Sequence, residues 1–298
     1  VNTILKQKNT DGLVIKIISY IVITVFALIC LFPFVLMVIS SFMNEKEIIT
    51  EGFKLIPKEL DFSAYTFLFQ NAKKLVDAYG ITIFITVVGT VLELFCMSMA
   101  GYVLSRKDFK YRNQISFFIY FTTLFSGGLV ASYILMVSVL NLKDSVWAMI
   151  LPGIMSPWSI FLMRNFMKAI PDSLYESAAI DGAGDFRIYW QIFMPLSIPS
   201  LATVGLFLAL GFWNEWYNAM LYIQSQDKFP LQFFLQKVVN QANVQMLVQQ
   251  GAVINTSELP SESIKMATAV VSIGPIILLY PFIQKYFITG LTIGAVKE

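Results

Sequence analysis

YESAAIDGAGDFRIYWQIFMPLSIPS, residues Tyr175 to Ser200, is a charged, glycine-punctuated stretch between two long apolar runs. It contains no Ser/His/Asp or metal-ligand arrangement, so its charges call for an explanation other than catalysis. Helix signals run from Asp172 through DSLYESAAI. Gly182 and Gly184 interrupt before DFRIYWQIF, and Pro195 and Pro199 precede the next apolar run. The pattern predicts a short helix, a turn and a second element. A solvated loop would account for the charges alone.

The surroundings decide where this segment sits. The 298 residues are 57% hydrophobic and 13% charged, with 26 Phe and a mean hydropathy of +0.68, the balance of a membrane protein. A formal charge of +2 is too small to suggest a nucleic-acid partner. Histidine is absent, which removes the commonest acid/base group near neutral pH and the commonest metal ligand. Cys30 and Cys96 fall inside apolar runs and read as small buried apolar residues without a redox or zinc role. No catalytic or metal site is expected.

Six stretches carry almost no charge: 17–44, 78–105 (Glu93 alone), 113–142, 145–163, 188–214 and 266–284. At roughly 20 apolar residues per span, they predict an all-α membrane protein with six transmembrane helices. A soluble bundle would need polar stripes that these runs lack. The first run is long and closes on no small-residue cleavage pattern, so it is expected to stay as helix one. Basic residues place the segments. Lys6, Lys8 and Lys16, then Arg106, Lys107, Lys110 and Arg112, then Arg164, Lys168 and Arg187, and finally Lys285 and Lys297 fall on one side. With the dense SRKDFKYRNQ turn inside, both termini are cytoplasmic. The chain then reads as one membrane domain, 1–298, with a cytoplasmic segment at 171–195 and outer loops at about 45–77 and 221–263.

Several residues invite a role within this frame. The first outer loop contains IPKELDFSAYTFLF, suited to a short interfacial helix that caps the surface or meets an extracellular partner. Ala100 and Gly101 would let another helix approach closely. Glu93, a carboxylate in mid-span, is read as a hydrogen-bonded group within the bundle, a contact to a partner chain, or a handler of substrate or protons. Gly127 and Gly128 mark a weak point in the third run, and Pro152 and Pro157 each remove a backbone donor from the fourth. Trp158 is a candidate pore-lining ring, with lipid or helix packing as the alternative. Trp213, Asn214, Glu215, Trp216 and Asn218 cluster near the end of the fifth run. They read either as an interfacial aromatic belt or as stacking faces with amides and carboxylates suited to a sugar. The loop FPLQFFLQKVVNQANVQMLVQQ could lay an amphipathic helix on the membrane.

The opening stretch resembles the cytoplasmic coupling motif of importer-type ABC permeases. That motif reads Glu-Ala-Ala, two variable residues, Asp-Gly-Ala, then an Ile and a Leu-Pro further on. Here Glu176, Ser177 and Ala178 are followed by Asp181, Gly182 and Ala183, with Ile192, Met194 and Pro195 at the matching distances. Ser177 and Met194 are the departures. FLMRNFMKAIPDSLYESAAIDGAG, AGYVLSRKDFKYR and FWNEWYNAM are similar to the carbohydrate-uptake branch, the maltose-type second permeases. The likeness is nearest to the oligosaccharide and polysaccharide permeases of Gram-positive bacteria.

This resemblance implies the type I ABC importer permease fold in a bacterial plasma membrane. It also implies a second permease subunit, two ATPase subunits holding ATP and Mg2+, an extracellular solute-binding lipoprotein and an oligosaccharide substrate. The helix around Glu176 would dock on one ATPase, with Ala178, Ala179 and Ala183 permitting close approach and Gly182 the sharp turn. The chain itself has no Gly-rich phosphate loop, so hydrolysis belongs to a partner. A permease for a non-sugar solute, a membrane-embedded enzyme and an ATPase-anchoring scaffold are the competing readings.

Overall fold

A computed structural model of the protein describes residues 2–70, 72–240, 262–275 and 277. These residues are helical apart from their connections and one isolated antiparallel bridge, Met43 to Leu60. The chain divides into two compact units, 1–70 with 238–273 and 71–237 with 274–298.

In the first unit, α1 (Asn2–Ser40) includes an apolar span from Ile15 to Ser40. These 26 residues rise about 39 Å, enough to cross a hydrocarbon core of about 30 Å. Every described hydrophobic side chain from Leu13 to Phe34 is exposed, so among the described residues nothing covers this apolar surface, which suits lipid or another helix. The loop that follows holds α2 (Glu45–Glu51), N-capped by the Asn44 side chain, and α3 (Ser63–Phe69), a short helix where IPKELDFSAYTFLF predicts one. Glu45 is buried. Its carboxylate accepts hydrogen bonds from the backbone N–H groups of Glu262 and Ser263 and from the Ser263 hydroxyl, at 2.9–3.1 Å. A negative charge thereby closes the N-terminus of the helix at 262–275, where free N–H groups and the helix dipole favour it.

In the second unit, α4 (Ala72–Ser105) is the axis. Its 34 residues rise about 51 Å, so its ends outreach a bilayer core. Two helices lie along it, α8 (Pro157–Lys168) and α12 (Ile198–Trp213). Glycines set the spacing. A Cβ on Gly101 would sit 2.9 Å from the backbone N of Arg164, and one on Gly205 would sit 3.1 Å from Leu94 Cδ1. The close approach expected at Gly101 is therefore backbone to backbone, as small residues in membrane helices permit. Met97, Ile160, Met163, Tyr189 and Phe193 fill the core below, where the Ser98 and Tyr189 hydroxyls share a buried 2.7 Å hydrogen bond.

Six continuous spans are not what the described residues form. By length and composition two helices qualify, Ile15–Ser40 and Ala72–Ser105, and two bent pairs raise the number to four. In the third run, α5 (Arg112–Leu124) and α6 (Gly128–Ile134) turn by 113° from each other, because Phe125 goes extended and Gly128 takes a positive φ of 79°. Gly127 and Gly128 are exposed there. The fourth run breaks into α7 (Trp147–Ile150), a 3-10 turn through Pro152, and α8, which opens on Pro157. Each proline falls at the start of a helical piece, where its missing N–H costs nothing.

The fifth run enters through α9 (Asp172–Ile180) and α10 (Asp185–Ile188), followed by a π-turn over Tyr189–Phe193. It then passes through α11 (Met194–Leu196) and bends by 78° before α12. Pro195 and Pro199 open the two pieces at that bend. The sixth run, 266–284, lies outside the described residues at 276 and from 278 on, as do Lys285 and Lys297 and positions 241–261 of the second outer loop. The loop's first part is helical over 231–240, with Leu231, Phe233, Phe234 and Leu235 buried. One smaller expectation is corrected. Cys30 is exposed on α1 and Cys96 is half-buried, because the apolar side chains around Cys30 are uncovered among the described residues.

Candidate functional site

Two sites emerge in the second unit, and the first is built on α9. Its C-terminus is closed by paired backbone bonds, Gly182 N–H to Ala179 O and Ala183 N–H to Ala178 O, both 3.0 Å. This is the Schellman pattern, which requires a left-handed residue after the helix. Gly182 supplies it with φ of 81°. A Cβ there would meet no atom within 4 Å, so only the backbone angle demands glycine. Gly184 has an ordinary φ of −73° and serves as the residue before α10.

The folded-back turn places the motif residues in two groups. Ala178, Asp181, Ala183 and Ile192 line a groove of about 240 Å³ together with Arg187 and Gln191. Glu176, Ser177, Ala179 and Gly182 face outward, and Pro195 is exposed at the entrance to α12. Beside them stand bare apolar side chains, Ile180 at 86% and Phe186 at 64% exposure.

The helix is held from behind by the basic residues that follow α4. The Arg106 guanidinium lies 3.1 Å over the Tyr175 ring and pairs with Asp108 at 3.0 Å. The Tyr175 hydroxyl donates to Asp185 at 3.0 Å and to Asp108 at 3.3 Å. Lys107 bonds Asp172 at 2.6 Å, and that ammonium holds the Asp172 carboxyl below the usual carboxylate range. Burial, followed by the Asp185 carboxylate, pushes the Tyr175 hydroxyl up. The end of α4 and the start of α9 thus form one joint, 65 or more residues apart in the chain. A cluster of R, K and D before a Tyr-bearing helix was the available signal, but nothing in it gave the pairing.

The second site is a cavity of about 310 Å³ between α4, α8 and α12. Four expected path residues line it: Glu93, Trp158, Glu215 and Asn218. Glu93 is 3% exposed and accepts a hydrogen bond from the Ser159 hydroxyl at 3.0 Å. Counting 12 residues back from Ser105 puts it about 18 Å from that end of α4, near the middle of the helix. Trp158 shows 59% of its surface. Glu215 accepts from the Asn218 backbone N–H at 2.8 Å and side-chain amide at 2.9 Å, fixing the start of α13 (Tyr217–Tyr222).

The other three candidates stand apart from this lining. Trp213 is buried with its ring 6.4 Å from that of Tyr79. Asn214 ends α12, its amide donating to Leu210 O at 2.8 Å and accepting from Gln232 at 3.1 Å. Trp216 precedes α13 and meets Tyr217 edge-on at 5.9 Å. Ser159 was not foreseen, since its bond to Glu93 spans 66 residues. Among the described residues no group of three or more His, Cys, Asp or Glu could hold a metal ion.

An exposed, tightly capped helix anchored to the end of α4, together with a polar cavity in mid-helix, fits a membrane transport component. Residues 94–293 match the family described as binding-protein-dependent transport system inner membrane component, and the chain belongs to that family. It is therefore a transport permease and not itself a catalyst.

Among its relatives is the polygalacturonan/rhamnogalacturonan transport system permease protein YtcP of Bacillus subtilis strain 168. It is 38% identical over 91% of this chain and 94% of that protein. The arabinooligosaccharides transport system permease protein AraQ of Halalkalibacterium halodurans is 31% identical over 91% and 92%. A solved bacterial ABC transporter involved in import of the acidic polysaccharide alginate has a chain that superposes with a TM-score of 0.76. That chain is 32% identical, over 92% of this chain and 96% of its own length.

Proposed function

We propose that the chain is a permease subunit of a bacterial ABC importer for oligosaccharides or polysaccharide fragments, coupled to ATPase subunits through α9 and its Gly182 turn. The observation that carries the coupling role is the exposed, Schellman-closed helix, anchored to a membrane-crossing helix by Arg106, Lys107 and Asp108. A segment so built transmits a push as a lever, whose two positions ATP and the binding protein would bias. Saccharide transport is supported by the relatives, whose names specify saccharides. Glu93, Trp158, Glu215 and Asn218 form the substrate path in this reading, with Trp213, Asn214 and Trp216 stiffening its outer rim.

The finer architecture belongs to the same proposal. Residues 1–298 act as one permease domain of six spans, the broken runs counting as spans, with both termini cytoplasmic. It pairs with a second permease subunit, two ATPase subunits and an external lipoprotein in a Gram-positive plasma membrane.

Purification through a tag on this chain, followed by mass spectrometry, tests the assembly. A second permease, an ATPase and an extracellular binding protein with retained oligosaccharide are expected. A retained non-sugar solute would redirect the substrate, and isolation of the chain alone from a mild detergent would overturn the coupling role. In the purified complex, Gly182→Ala is expected to cut substrate-stimulated ATP hydrolysis several-fold at unchanged membrane level, since a left-handed angle costs an L-residue about 1–2 kcal/mol. Gly184→Ala, at an ordinary angle, should leave it nearly intact. Equal behaviour of the two variants counts against the turn as the coupling element.

A further inference from the structure

The mid-span cavity has a charge character that narrows what it can pass. Its titratable lining groups are Glu93 and Glu215, both acidic. Among the described residues no Lys or Arg lines it, α12 and α13 contain no basic residue, and the chain has no histidine. Glu215 is committed to Asn218 through both oxygens. Glu93 is different. One oxygen accepts from Ser159, while Oε2 has no partner among the described residues and points toward Gly153 on the cavity wall, where an added Cβ would lie 3.9 Å away. A carboxyl that is 97% buried, by its 3% exposure, with one oxygen open to a cavity is a group awaiting a donor.

We propose, resting on the sugar-importer reading above, that this wall selects uncharged sugar units and disfavours uronates. The hydroxyls of a neutral pyranose can donate to Glu93 Oε2 and to the free acceptor face of Asn218, while the exposed Trp158 ring covers the apolar face of the sugar. A uronate brings a carboxylate into a space of about 310 Å³ whose described lining already holds two carboxyl groups and no cationic side chain. Likeness to an importer of an acidic polysaccharide therefore does not carry the substrate's charge across to this chain.

The test uses the whole importer, with its second permease, ATPase subunits and binding protein, reconstituted in proteoliposomes. The probes are an oligogalacturonate and the same oligomer with its carboxyls reduced to alcohols, so that length and linkage stay constant. Uptake of the reduced oligomer is expected to exceed that of its parent by at least about tenfold. Glu93→Gln, which keeps an acceptor for Ser159 but removes the charge, is expected to narrow that ratio. Should Glu93→Gln fail to assemble, Ser156→Arg serves instead, placing a cation on the same wall and raising uronate uptake.

Equal or faster uptake of the oligogalacturonate by the unmodified complex overturns the proposal and leaves the sugar reading standing. A ratio unmoved by whichever variant assembles assigns selection elsewhere in the importer and also overturns it. Transport of neither probe, nor of any member of a panel of neutral and acidic oligosaccharides, overturns the sugar reading and this proposal with it.

Discussion

Asp144 shows how much one side chain can organise at a turn. With Asn141 it is one of two described non-glycine residues at positive φ, 56° and 52°, conformations that Asn and Asp tolerate best. Its Oδ1 accepts the backbone N–H groups of Gln224 and Ser225 at 2.9 Å each. Its Oδ2 accepts the Ser225 hydroxyl at 2.6 Å and the Lys228 ammonium at 3.0 Å. These donors, the Ser225 hydroxyl foremost, hold the carboxyl well below the usual carboxylate range. Because the folded value is depressed, the stabilisation is complete above the unfolded value of about 4 and is lost as pH falls through the folded value. Asp144→Asn is expected to cost about 1–2 kcal/mol at pH 7, the partial exposure of the site moderating it, and to flatten the loss of stability between about pH 4 and pH 2. Thermal melting of the detergent-purified protein against pH measures both. Parallel profiles for the two proteins would mean that the turn holds without its carboxylate. None of this was legible in LKDSVW, because the donors lie 80 or more residues away.

Between helices, the crossing of α4 with α8 is fixed by where side chains are missing. The Gly101 Cβ position falls on the Arg164 backbone, which cannot step aside as a flexible side chain would. Gly80, on the same helix, has nothing within 4 Å. Gly101→Ala is expected to destabilise by about 1–3 kcal/mol through overpacking, whereas Gly80→Ala should gain up to about 1 kcal/mol from helix propensity. Melting temperatures of the two purified variants should move in opposite directions, and a shared sign would refute backbone contact as the cause. Small residues before a basic turn announced this crossing in the sequence, and so did the proline breaks of the fourth run and the glycine turn after Ile180, because each rests on one residue's own backbone chemistry. The number of spans is less legible for the same reason inverted. Apolar length reports solubility in lipid, not straightness, and the 113° turn at Phe125–Gly128 leaves an uncharged run as apolar as a straight one. The joint of Arg106, Asp108 and Tyr175 was hidden because pairing across 67 residues leaves no periodicity to read.

At the scale of the molecule, two apolar surfaces lack cover among the described residues, and their chemistry assigns them different neighbours. The outward surface of α1 is apolar over a membrane-crossing length, which suits lipid or another membrane helix. The apolar face at α9 and α10 has Leu174, Ile180 and Phe186 exposed among Glu176, Asp181, Asp185 and Arg187. Apolar patches rimmed by charge mark protein contacts. If that contact is the ATPase, each of these side chains contributes about 1.5–3 kcal/mol when fully covered. Ile180→Glu with Phe186→Glu should then lower ATPase co-purification by more than about tenfold. Both positions bury little within the chain, so the permease itself should reach the membrane in normal amount. Ile56→Glu is the matched control, since Ile56 is 83% exposed on the loop after α2 and should retain the ATPase. Retention by the double variant would move the dock away from α9, and loss by both variants would mean that any added charge disrupts assembly. Loss confined to the double variant would make this face the surface through which ATP hydrolysis reaches the joint at Arg106, and through α4 the carboxyl of Glu93.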